Sequence, residues 1–204
     1  MPAFAIIVLI VAALAGATAS VVGFGIGSLL TPLVAIRYGM PVAVALVSIP
    51  HAIATALRCW LLRGAIDWPV LRRFGVVSAA GGLAGAAVYT RAGGRELTTA
   101  LAVLLILTAV ATLTGWMMRW TPRGPLVWIL GAASGAFGGL AGNQGGIRAA
   151  AMQPFRLVPA AFVATATATG LLVDAARMPV YAIDIARSAA LPAGFWTTTT
   201  SLST

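Results

Sequence analysis

The sequence predicts an all-α fold: a polytopic integral membrane protein of two four-helix repeats with glycine-broken helices, the second repeat incomplete. Three observations carry this. The first is composition. Of 204 residues, 60% are hydrophobic and 8% charged, and the mean hydropathy is +0.99, whereas soluble domains carry about 25% charged residues. The second is patterning, since charges cut the chain into apolar blocks of a length that suits a hydrocarbon core about 30 Å thick. The third is a repeat at an offset of 119 residues.

The first block is too long for one span. Residues 1–36 carry no charge, and a straight helix over them would reach about 54 Å. The helix must break, tilt steeply or turn back. Gly23, Gly25 and Gly27 are where a break costs least, because glycine reaches positive φ and lets another group approach the backbone. Backbone groups freed at membrane depth must face protein or a polar cavity. The plainer reading of these glycines is close helix packing.

The other elements follow from the charges. Arg37 and Pro41 bracket a turn, and residues 41–57 form the second span, with Pro50 and His51 inside it. Residues 58–73 are the most basic loop. Residues 74–90 are the third span, whose Gly75, Gly81, Gly82 and Gly85 suit a tightly packed face. Residues 97–118 are the fourth, rich in Leu, Val and Thr and more lipid-facing. A Pro/Gly loop with Trp120 leads to the fifth span, 125–147, which ends in Gly142-Asn143-Gln144-Gly145-Gly146. Residues 159–173 are the sixth span, and Asp174 marks its end and pairs with Arg177. Trp60, Trp68, Trp116, Trp120 and Trp128 read as interfacial anchors.

Composition also excludes function classes. All 13 basic residues are arginine, and with four acids the net charge is +9. Most arginines lie at the ends of apolar runs, where they anchor spans at headgroups, so no nucleic-acid partner is expected. The arginine distribution, 8 against 5 between alternate loops, favours a cytoplasmic N-terminus. A re-entrant segment at 23–27 would reverse that. No lysine means no phosphate-binding loop. One His and one Cys cannot build an ordinary zinc site. Neither an enzyme nor a cofactor is expected, and no cleavable signal peptide is evident.

At the 119-residue offset, Ala13, Gly16, Ala17, Gly23, Gly27, Arg37, Val44, Ala45, Ala56 and Arg58 meet identical residues from Ala132 to Arg177. After a two-residue slip, Ala65-Ile66-Asp67 meets Ala182-Ile183-Asp184. The expected organisation is a first four-span repeat over 1–118, a loop at 119–124, and a second repeat over 125–204 with two spans and part of a third. Interrupted helices at matching places in two halves point to a transporter's central site.

At Gly23-Phe24-Gly25-Ile26-Gly27-Ser28-Leu29-Leu30-Thr31-Pro32-Leu33, and again at Gly138-Gly139-Leu140-Ala141-Gly142-Asn143-Gln144-Gly145-Gly146, the sequence resembles the TauE/SafE family, sulfite-exporter-type membrane anion transporters. The resemblance covers residues 3 to about 187. It implies two four-helix repeats in a bacterial inner membrane and secondary export of sulfite, sulfonates or related organic anions. Asn143-Gln144 stands where many relatives have plain glycines, and the last spans expected of the second repeat lie beyond the chain. An apparently truncated, non-transporting membrane subunit is the competing reading. The expected partners are a small anion and the bilayer, and a homodimer is left open.

A small anion needs donors and positive potential at a dry, narrow place. Helix N-termini and successive glycine N–H groups supply both. The expected substrate-binding set is Gly23, Gly25, Gly27, Ser28, Gly142, Asn143, Gln144, Gly145, Gly146 and Arg148, with Thr31 as a further donor. Arg148 lies eight residues before the turn residue Arg156, about 12 Å along a helix. It is expected either below the interface, as an oxyanion-binding fork, or snorkelling from a short loop. His51 is read as a proton relay or as a hydrogen-bonded packing residue.

Overall fold

The computed structural model describes residues 2–22, 26–115 and 122–189. Their regular elements are helices, without a strand: α1 (Pro2–Val22), α2 (Ile26–Tyr38), α3 (Met40–Leu61), α4 (Val76–Tyr89), α5 (Gly94–Leu113), α6 (Pro125–Ala141), α7 (Gly145–Met152) and α8 (Pro159–Ala189). A helical turn at Trp68–Val70 and a π turn at Leu71–Gly75 lead into α4. Among the described residues, α3, α5 and Pro159–Asp184 of α8 are long and apolar enough to cross a bilayer. The 17-residue α6 is at the lower bound for a span, about 17 residues.

The charge-free N-terminal run folds back on itself. Ala15, Ile26, Leu30 and Val34 share one cluster with Val8, Val11 and Ala12, so α1 and α2 lie side by side, and Ala43 and Val47 of α3 close it. Gly23 and Gly25 lie outside the described residues. The second glycine motif is described in full. There α6 ends at Gly142, whose left-handed conformation (φ 71°, ψ 10°) and N–H bond to the Gly138 carbonyl, 3.0 Å, close the helix. The chain then returns along α6, because the Ser134 hydroxyl donates to the Gln144 carbonyl at 3.0 Å.

The tightest seam joins α4 to α6. A Cβ on Gly135 would overlap the Ser78 carbonyl, and one on Gly139 would overlap the Gly82 carbonyl, one turn further along both helices. The two helices therefore run parallel with their backbones touching. Gly81 and Gly85 meet the carbonyls of Ala132 and Ala136 in the same way. Without Cβ atoms the helices gain dispersion contact along their whole seam. The expected glycine face of the third span is this seam. In contrast, α5 turns Ile106, Leu107 and Val110 outward, as its expected lipid-facing character requires.

Three expectations need correction. Asp174 does not end the sixth span, because α8 continues to Ala189 with Asp174 fully buried in its middle. Its charge is tolerated there because Arg177, one turn on, neutralises it. Arg58 belongs to the last turn of α3 rather than to a loop. Trp128 does not stand free at an interface. It packs beside Phe155, ring centroids 6.3 Å apart, in the cluster of Phe74, Val127, Ala151 and Met152. Trp60 and Trp68 are exposed. Trp116 and Trp120 lie outside the described residues.

Candidate functional site

Two glycine segments distant in sequence meet in the interior. A Cβ on Gly27, in the first turn of α2, would overlap the Gly142 carbonyl and come within 3.8 Å of the Asn143 Cα. The Thr31 hydroxyl, one turn along α2, sits against the other side of Gly142, as does Nη1 of Arg177. Thr31 is fully buried, and its hydroxyl has no hydrogen-bond partner. Ser28 is only half-buried and is not placed in this contact.

The segment Gly142–Gly146 is enclosed. Asn143 is 7% exposed and Gln144 5%. The Gln144 side chain lies over Gly138, and neither its amide oxygen nor its amide nitrogen has a partner. Gly145 and Gly146 open α7 and are buried, so the unpaired N–H groups of a helix N-terminus lie inside the protein. Arg148 follows one turn later. It is 4% exposed, its Nη1 has no hydrogen-bond partner, and it faces Gly170 of α8. Arg148 thus lies inside the protein, on the short helix α7, rather than snorkelling from a short loop.

The remaining charges form a chain of bonds along α8. The Asp174 carboxylate accepts from Arg177 through Oδ1, at 2.9 Å from Nε and 2.7 Å from Nη2. Through Oδ2 it pairs with His51 Nδ1 at 2.8 Å. Arg177 Nη1 donates to the Gly138 carbonyl at 2.6 Å, and the Tyr181 hydroxyl donates to the Gly139 carbonyl. These two carbonyls end α6, the negative pole of its dipole, where a guanidinium is favoured. His51 follows Pro50, which removes one helical hydrogen bond of α3.

Sequence reasoning foresaw the Asp174–Arg177 pair but placed it at a boundary, and so missed its links to His51, Gly138 and Gly139. The signal was available: Gly170, Asp174, Arg177 and Tyr181 recur at three- and four-residue steps, one face of a helix. What the site can do follows from its charge. Asp174 and Arg177 cancel, whereas Arg148 has no ion pair among the described residues. The interior is left with a positive group, unused donors and small backbone surfaces.

The sequence profile described as Sulfite exporter TauE/SafE matches residues 8–202, nearly the whole chain. The chain belongs to the TauE/SafE family. This TauE/SafE protein is accordingly an all-α, multi-pass membrane protein of a family of membrane anion exporters. No curated protein and no solved structure matches it. The polar interior belongs to the part of the chain that carries the family match, since every residue from Gly27 to Tyr181 falls within it.

Proposed function

We propose that the protein exports a small anion, sulfite, a sulfonate or a related organic anion, by secondary transport across a bacterial inner membrane. The observation that carries this reading is Arg148: a buried guanidinium with an unpartnered Nη1, one turn after a buried helix N-terminus. A buried arginine without a counter-ion is costly. An oxyanion supplies the missing charge and accepts both arms of the fork. Gly142, Asn143, Gln144, Gly145 and Gly146 would bind it, with Thr31 beside them. Gly23, Gly25, Gly27 and Ser28 would complete the binding surface from the other half.

We read the chain as a duplication on the same grounds. The helix starts at Met40 and Pro159 differ by the offset of the repeat, 119 residues. Two hairpins whose tips touch at Gly27 and Gly142 are what a repeated unit would place at its own interface.

The test is anion flux in proteoliposomes across sulfur oxyanions and carboxylates. Arg148→Ala should reduce flux to near background while the protein still inserts. Arg148→Lys should fall between, because a lysine offers a compact point charge. Wild-type flux from Arg148→Ala would overturn the role of Arg148. A correctly inserted wild-type protein that moves no anion would leave the membrane-subunit reading instead.

A further inference from the structure

The bonding of Asp174 fixes which atom of His51 can carry a proton. A carboxylate is acceptor-only. Its Oδ1 is held by Arg177 and its Oδ2 by His51 Nδ1. Nδ1 must therefore be the donor, and Nε2 is left as the basic nitrogen that gains or loses a proton. The Thr55 hydroxyl, 3.5 Å from Nδ1 on the same helix, does not change this assignment.

The charges around His51 can be enumerated by helix. From α8 come Asp174 and Arg177. From α7 comes Arg148, within electrostatic range of Asp174. On α3 itself Arg58 lies in the last turn, partly buried near the helix end and within electrostatic range of Arg148, and it is not among the fully enclosed charges. The titratable groups of α2 and α5 are Arg37, Tyr38, Arg95 and Glu96, all exposed at helix ends. The enclosed groups thus sum to one positive charge when His51 is neutral and two when Nε2 is protonated. Net charge buried in a low-dielectric interior is unfavourable, so occupied states that cancel it are preferred.

Resting on the anion-transport reading above, we propose that His51 takes up a proton together with a divalent anion and stays neutral with a monovalent one, so that the occupied site carries no net charge. A monovalent anion neutralises Arg148 alone. A divalent anion needs a second positive charge, and among the described enclosed groups His51 has a basic nitrogen, Nε2, to supply it, whereas both Asp174 oxygens are already engaged. The proton enters at Nε2 from the side on which the anion binds. It leaves from Nε2 when the anion is released, so one proton travels with each divalent anion and none with each monovalent anion. The hydrogen bond to Asp174 persists in both forms and holds the ring still. Anion valence, rather than a fixed stoichiometry, would then decide whether transport draws on a pH gradient.

The experiment uses the full chain in proteoliposomes with a pH indicator in the lumen and the membrane potential clamped. Thiosulfate serves as the divalent probe and methanesulfonate as the monovalent one, because each keeps a fixed charge state across pH 5–8, whereas sulfite titrates within it. Thiosulfate flux should move about one proton per anion. Methanesulfonate flux should move none. His51→Gln should lower the thiosulfate-to-methanesulfonate flux ratio by roughly tenfold or more and abolish the proton movement. Equal proton movement with both probes overturns the inference, as does coupled thiosulfate flux surviving in His51→Gln. If the wild-type protein moves neither probe, the transport reading itself fails. That result is distinct, because it appears before any proton is measured.

Discussion

Replacing Arg148 by methionine should stabilise the protein while abolishing its transport. The guanidinium is 4% exposed, and its Nη1 has no partner. A buried unsatisfied donor costs about 1–3 kcal/mol, and arginine at the centre of a membrane helix about 2.5–3.5 kcal/mol on insertion scales. Methionine fills most of the same volume and has no polar group to bury. The expected gain is about 1–3 kcal/mol, which for a chain of this size raises Tm by roughly 2–12 °C. Arg177→Met should do the opposite, although both arginines are buried. Removing Arg177 leaves the fully buried Asp174 with only His51 as partner and frees the Gly138 carbonyl. Breaking such a pair costs about 3–5 kcal/mol, and Tm should drop by roughly 6–20 °C. Tryptophan-fluorescence melting in detergent, in anion-free buffer, measures both. A fall in Tm for Arg148→Met comparable to that of Arg177→Met would refute the reasoning, because Arg148 would then be a structural ion. Adding a bound anion should raise the Tm of the wild type and leave that of Arg148→Met unchanged.

Gly135→Val should disrupt the α4–α6 seam, since even a Cβ overlaps the Ser78 carbonyl. Backbone cannot yield as a side chain can, so the cost should reach about 3 kcal/mol or more, visible as lost monodisperse yield in size-exclusion chromatography. Tyr181→Phe removes the hydrogen bond to the Gly139 carbonyl and should cost about 0.5–1.5 kcal/mol by thermal melting. Ile106→Ala, on the outward face of α5 and 62% exposed, should shift stability by less than about 0.5 kcal/mol in the same assay.

The broken helices were legible because two physical limits met in the sequence. An apolar run longer than a bilayer cannot stay straight, and glycine is where a break costs least. The second break is found at Gly142–Gln144, as the motif indicated. The direction after the break was not legible, since a kink and a return share one apolar pattern. Only the packing of Ala15 with Ile26 and Leu30, and the bond from Ser134 to Gln144, distinguishes them. Arg148 could be located because it stood eight residues from its turn. Asp174 and Arg177 pair as expected but were placed at a helix end for the converse reason. Taken one at a time, charges signal a helix end, but two opposite charges three residues apart cancel and let the helix continue. Trp128 was misplaced because an indole near the start of an apolar run serves a headgroup anchor and a ring-packed core equally well.

The bonds from Arg177 and Tyr181 to the last carbonyls of α6 have a mechanical meaning. They fasten the tip of the α6–α7 hairpin to α8 at two points one turn apart. A tip held at two points cannot swivel independently of the helix that holds it. Any motion that exposes Gly142–Gly146 to one side of the membrane must therefore carry α8 along as a single lever. The yielding surface is the contact with α2, where Gly27 and Thr31 lie against Gly142 and the Thr31 hydroxyl makes no hydrogen bond, so that sliding there breaks no side-chain bond of Thr31.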